Sequence, residues 1–245
     1  MRSKRSRLDQ FIAQKLQISK KAVRQLLIDN RIELDDKICK EVDKQINEFS
    51  RIRLDETWLQ HRSSQYYMLN KPVGVVSATI DDIHPTALSL LKDVDPELMH
   101  IAGRLDLNST GLLLITNDSQ WSQALMAPET KVDKQYLVTL ANPIDESYIK
   151  AFADGMYFGY EDITTKPAKF ELVSKFQARV TLQEGKYHQI KRMFGRFRNP
   201  VVALHRESIG GIILDNNLDA GEYRHLTEWE VHTMRKLQAY PFMGT

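Results

Sequence analysis

The sequence predicts an α+β protein in two parts, a basic front module of about sixty residues and a larger main domain. Three observations lead there. Apolar residues recur at helical spacing from Leu8 to Leu27, whereas the rest of the chain mixes short helical stretches with alternating or continuous apolar runs of strand length. Turn residues separate those runs, as at Pro72 to Gly74 and Gly210-Gly211. Charge is also uneven: residues 1–62 hold 15 Lys and Arg against 10 Asp and Glu, and the remainder holds 19 against 22. A positive segment joined to a slightly negative body describes a polyanion-binding module attached to a domain with another task.

Composition sets the outer limits. A chain of 245 residues suits two domains, and 42% hydrophobic with 27% charged residues is ordinary for a globular protein. No apolar run approaches membrane-spanning length, and Met1 to Arg7 is too polar and basic for a secretory signal. A cytoplasmic location with no membrane partner is therefore expected, and a monomer. The single cysteine, Cys39, leaves no internal disulfide. Without a second thiol or clustered histidines beside it, it reads as a half-buried strand residue, and no metal is expected.

In the front module, Leu8, Phe11, Ile12 and Leu16 mark a first helix, and Ser19 opens a second with Ala22, Val23, Leu26 and Leu27 inward. Lys20, Lys21 and Arg24 fall on the opposite side. Alternation follows at Ile32 and Leu34, with a turn at Asp35-Asp36 and further strand positions at Ile38, Ile46, Ile52 and Leu54. Thr57 to Gln65 is polar with little periodicity. The reading is a module over 1–58, a linker over 59–65 and a main domain over 66–245.

The main domain opens with a strand, a Pro72 to Gly74 turn carrying Lys71 at its bend, and a second strand. Pro85 and Thr86 start a short helix through Leu91. Ala102 to Asp118 then organises the domain: Gly103 and Gly111 bracket a polar loop with one acid, Asp106, and the loop runs into Leu112 to Ile115, a buried strand. Arg104 stands two residues before Asp106, and leucines lie on both sides. An opposite charge among residues that keep water away offsets desolvation, the setting of a reactive carboxylate. An Arg-x-Asp pair alone is more often a surface ion pair, so its neighbours decide.

Asn117 and Asp118 cap a helix through Leu125, ended by Pro128. Lys134 to Leu140 alternates as a strand with Tyr136, Val138 and Leu140 on one face. Asp145 to Ala153 is a helix ended by Gly155, and strands surround Phe170 to Val173 and Ala178 to Leu182. From Glu184 to Phe194 a glycine turn opens a helix carrying Lys186, Lys191 and Arg192 among Tyr187, Ile190, Met193 and Phe194, a mixture that holds phosphates and stacks on bases. His188 lacks a second ligand four residues on and reads as a hydrogen-bonding or packing residue. Thr227 and Glu230 form a capping box for a last helix to about Leu237.

The front region from Ser6 to Leu54 resembles the RNA-binding domain named after small-subunit ribosomal protein S four. That resemblance implies phosphate contacts by Arg7, Lys20, Lys21, Arg24 and Arg31, and departs from the family where Asp36 replaces the usual turn glycine. Asn-Lys-Pro-Val-Gly at 70–74, Gly-Arg-Leu-Asp-Leu-Asn-Ser-Thr-Gly-Leu-Leu-Leu at 103–114, Lys-Gln-Tyr at 134–136 and Tyr-His-Gln-Ile-Lys-Arg-Met-Phe at 187–194 together resemble the RsuA family of pseudouridine synthases. The stretches at 204–212 and 221–224 look closest to members acting on small-subunit rRNA.

The resemblance implies a large, mainly antiparallel mixed sheet with flanking helices and a cleft across its middle. It implies Asp106 as the catalytic carboxylate, Tyr136 stacked on the target uracil, Lys191 paired with Asp106, and Arg104 and Ile190 shaping the pocket. Lys71, Lys186 and Arg192 would join the RNA contacts. The implied reaction needs no cofactor, the implied partner is small-subunit rRNA or its assembling particle, and the implied target is uridine 516 of 16S rRNA. Two other readings stay open: a non-catalytic RNA-binding or ribosome-assembly factor, and a nucleosidase-like hydrolase that would release uracil.

Overall fold

A computed structural model of the chain describes residues 5–92 and 94–239. The polar stretch at Met1 to Arg7 therefore lies outside the described residues for its first four positions. The chain divides into two compact units, Met1–Ser64 and Gln65–Thr245.

The first unit contains β1 (Ser6–Arg7), α1 (Leu8–Leu16), α2 (Lys20–Ile28), β2 (Ile32–Leu34), β3 (Lys37–Ile38), β4 (Gln45–Ile46), β5 (Ile52–Leu54) and β6 (Thr57–Gln60). Leu8, Ile12, Val23, Leu27, Ile32 and Ile52 form its core, each essentially inaccessible to solvent. Ser19 caps α2 by accepting from Ala22 N at 3.2 Å. Ala22 itself is exposed, so the inner face of α2 is narrower than its apolar pattern predicts. The Asp35-Asp36 turn has both residues in the left-handed region, at φ 51° and 63°, the geometry of a two-residue hairpin loop usually favouring glycine or asparagine.

The linker expectation needs correction. Thr57–Gln60 pairs with β5 in a four-stranded sheet ordered β3-β2-β5-β6, and Gln60 Nε2 donates to the carbonyls of Asn47 and Ser50. This stretch is polar because it is a sheet edge, where alternate side chains face solvent.

The second unit contains β7 (Tyr66–Lys71), β8 (His100–Ala102), β9 (Ser109–Thr116), α3 (Ser119–Met126), β10 (Lys134–Leu140), α4 (Ser147–Asp154), β11 (Tyr157–Phe158), β12 (Ile163–Thr164), β13 (Lys169–Ser174), β14 (Gln177–Leu182), α5 (Gln189–Gly195), β15 (Val201–Ile209), β16 (Ile212–Ile213), β17 (Tyr223–His225) and α6 (Glu228–Ala239). Among the described residues nine strands form one mixed sheet ordered β13-β14-β10-β15-β9-β7-β17, with β16 on β15 and β8 on β9. Every pairing in it is antiparallel except that of β15 with β9.

Strand β9 explains why its sequence is a continuous apolar run. Leu113 and Ile115 enter the core with α4 and α5, while Leu112 and Leu114 enter the core that holds Trp121 of α3 and Met234 of α6. A strand covered on both faces has no polar side to alternate with. The caps predicted for α3 and α6 form: Asp118 accepts from Gln120 N and Trp121 N, and Thr227 and Glu230 bond each other reciprocally.

Two predicted elements differ. After Gly74 the chain leaves the sheet, because Gly74 N bonds to Leu107 O and Val76 makes only a single bridge to Thr86; the second strand does not form. The helix expected from Pro85 to Leu91 is a single 3-10 turn, Leu88–Leu90.

Candidate active site

The loop between β8 and β9 is held from beneath by two buried cations. Arg206 of β15, 1% exposed, donates from Nη2 to Gly103 O at 2.7 Å and from Nε to Leu112 O at 2.8 Å, gripping the loop where it begins and where its strand is under way. Lys71, with no exposed surface, donates from Nζ to Ser109 O at 2.7 Å, to Pro72 O at 2.9 Å and to Leu107 O at 3.4 Å. Ser77 Oγ accepts from Leu105 N and donates to Leu105 O, fixing the residue before Asp106. Charged donors make stronger bonds to carbonyls than neutral ones, so the loop is braced along most of its length.

Lys71 therefore does not reach RNA phosphate, which corrects its expected role. Burial lowers it from its ordinary value near 10.5 to about 8, with Asp106 opposing and Arg206 adding to the shift. Lys134 is also buried, bonds to Val132 O at 3.0 Å and is lowered to about 8, by burial first and by Arg206 second.

Held this way, Asp106 faces the start of α5. Lys191 Nζ lies 2.9 Å from Asp106 Oδ2, and His188 Nε2 lies 3.4 Å from Oδ1. Both side chains come from one turn of chain, with His188 at the helix N-cap at φ 48°. The carboxylate, about one-third exposed, opens onto a cleft of about 100 Å³ whose walls include Tyr136, Ile190 and Leu204. The Tyr136 ring is nearly buried, and the Arg206 guanidinium carbon lies 5.9 Å from its centre.

The structure thus brings together Asp106, Lys191, Tyr136, Ile190 and Arg104, all of which line the cleft. Arg104 is exposed, and among the described residues no ion pair joins it to Asp106, so the fixed cation expected from the Arg-x-Asp spacing is supplied instead by Lys191. Lys186 precedes α5 rather than lying in it and stands 3.6 Å from Glu184. Arg192 is committed to a two-point pair with Glu161 and lies 3.8 Å from the centre of the Phe158 ring, a structural tie between α5 and the β11–β12 hairpin region. In the first unit Arg7 is paired with buried Asp9 and Arg31 with Asp55, whereas Lys20, Lys21 and Arg24 are exposed on α2.

Sequence reasoning missed Arg206 and the place of His188. Neither carries a local signal: Arg206 acts on carbonyls about a hundred residues earlier, and the histidine meets its partner only through the fold.

A carboxylate, Asp106, paired with Lys191 in a small cleft beside a nearly buried tyrosine, on a mixed sheet of nine strands among the described residues, suits a base-modifying synthase. The chain belongs to the RsuA family of RNA pseudouridine synthases: residues 65–195 match the RNA pseudouridylate synthase family model. It is 45% identical to ribosomal small subunit pseudouridine synthase A of Pseudomonas aeruginosa, over 92% of this chain and 98% of that protein. Against the protein of the same name from Escherichia coli K12 it is 43% identical over the same shares. A crystal structure of a pseudouridylate synthase superposes with a TM-score of 0.68 at 38% identity, covering 94% of this chain and 99% of that one.

Proposed function

We propose that this enzyme converts one uridine of 16S rRNA, uridine 516, to pseudouridine, with Asp106 as the catalytic carboxylate. The observation that carries the reading is the Asp106–Lys191 pair at 2.9 Å in a cleft walled by Tyr136. Support for the substrate comes from the small-subunit enzymes that the chain resembles over nearly its full length.

The reaction breaks the bond from N1 to C1′, turns the uracil and rejoins it through C5. Atoms balance within the nucleotide, since C5 loses a proton and N1 gains one. Glycoside hydrolysis uses two carboxylates because water must be activated while a leaving group is protonated. Here the detached base itself returns as nucleophile, so one carboxylate suffices. Asp106 either attacks C1′ or removes the 2′ proton, and Lys191, 2.9 Å from Oδ2, orients it for both routes. The uridine must leave its helix to reach the cleft, where the Tyr136 ring stacks on it. The first unit supplies the sequence-independent grip on RNA through Lys20, Lys21 and Arg24.

Nucleoside chromatography after incubation with unmodified 16S rRNA tests this. Pseudouridine without free uracil is the expected product, and Asp106→Ala should remove it while leaving RNA affinity within about threefold. Retained turnover in Asp106→Ala would remove Asp106 from its role.

A further inference from the structure

We infer that His188 is a positioning residue for the reaction, holding one oxygen of Asp106 while Lys191 holds the other. The inference rests on the reading of Asp106 as the catalytic carboxylate. Its basis is the division of contacts: Lys191 Nζ donates to Oδ2 at 2.9 Å, and His188 Nε2 stands 3.4 Å from Oδ1, an ion-pair distance from which a protonated Nε2 holds that oxygen. A carboxylate held at one oxygen still turns about its last bond, whereas one held at both has its plane fixed. Fixing the plane chooses which lone pair faces the substrate, and misplacement by about 1 Å can cost about a hundredfold in rate.

Three further features favour this assignment. His188 is the N-cap of α5 at φ 48°, a left-handed conformation that side-chain-bearing residues enter at some cost, so the fold accepts strain to place this side chain there. The Tyr187 ring stacks on the imidazole with centres 3.9 Å apart and planes 20° apart, which orients the ring. The turn itself is braced by buried Gln189, which accepts from Lys186 N at 3.0 Å and donates to Glu184 Oε1 at 2.7 Å. His188 and Lys191 are three residues apart across the first turn of α5, so one helix start brings both side chains to one carboxylate.

The test is steady-state kinetics on the full-length protein with unmodified 16S rRNA, comparing His188→Ala, His188→Gln and Asp106→Asn. His188→Ala should lower kcat about tenfold or more with KM within about twofold, and His188→Gln, which keeps an N–H donor, should recover most of that loss. Tyr187→Ala should show the same pattern more weakly. An unchanged kcat in His188→Ala would overturn the inference, as would a raised KM at constant kcat, which would make His188 an RNA contact. A loss that glutamine does not restore would also overturn it. Asp106→Asn reports separately: if it keeps turnover, the reading of the carboxylate fails, whatever the histidine variants do.

Discussion

Gly111 lies directly against the backbone of Arg206, where β9 and β15 run parallel. A Cβ at position 111 would fall 2.7 Å from Arg206 N and closer still to its carbonyl oxygen, and the residue sits at φ 100°. Glycine is therefore required twice, for its conformation and for the approach of the strand that carries the loop-gripping arginine. Gly111→Ala should cost about 3 kcal/mol of stability, read by chemical denaturation, and should reduce activity because Arg206 moves with the strand. A loss below about 1 kcal/mol would mean the strand pair yields easily.

Lys71 makes stability depend on pH in an unusual direction. The folded chain releases this proton near pH 8, whereas the unfolded chain holds it to about 10.5. Between those values the unfolded state binds more protons, so stability rises with pH. Measured against Lys71→Met, wild type should gain by up to about 3 kcal/mol from about pH 7 to about pH 10, because each tenfold difference in proton affinity between the two states is worth about 1.4 kcal/mol. A flat difference would mean that Lys71 is not charged and buried near neutrality.

Ser109 offers a test of local packing. Among the described residues its buried Oγ has no hydrogen-bond partner, although its carbonyl is held by Lys71. Ser109→Ala should leave stability unchanged or raise it by about 1 kcal/mol, because an unsatisfied buried hydroxyl is removed. Clear destabilisation on thermal unfolding would show that the hydroxyl is satisfied in solution.

Charge on α2 should govern the salt dependence of RNA binding. Replacing Lys20, Lys21 and Arg24 by glutamine should weaken binding and reduce the slope of log K against log salt by about two, through lost phosphate contacts. Filter binding at several salt concentrations measures it. An unchanged slope would locate the electrostatic anchor elsewhere.

Much of the fold is legible in the sequence where the signal is local. The continuous run of β9, the alternation that buries Tyr136, and the caps at Asp118 and Thr227 all follow from neighbours a few residues apart. The Asp106–Lys191 pair is legible only through family motifs, because 85 residues separate the partners and no spacing rule spans them. Lys71 misleads for a physical reason: a lysine beside a Pro-Gly turn looks exposed, and only the returning loop reveals three carbonyls that accept from its ammonium. Arg7, Arg31 and Arg192 look like free cations for RNA, yet each is tied to a carboxylate, two residues away at Asp9 or well apart in sequence at Asp55 and Glu161.

Whether Asp106 drives pseudouridine formation at one rRNA position is open to direct mapping. Carbodiimide-dependent reverse-transcription stops would be read on unmodified 16S rRNA, free and in small-subunit particles, with wild type and Asp106→Asn side by side. A new stop reporting uridine 516 is expected with wild type and none with the variant. A stop that persists with Asp106→Asn, or no stop with wild type on either substrate despite tight binding, would contradict the assignment.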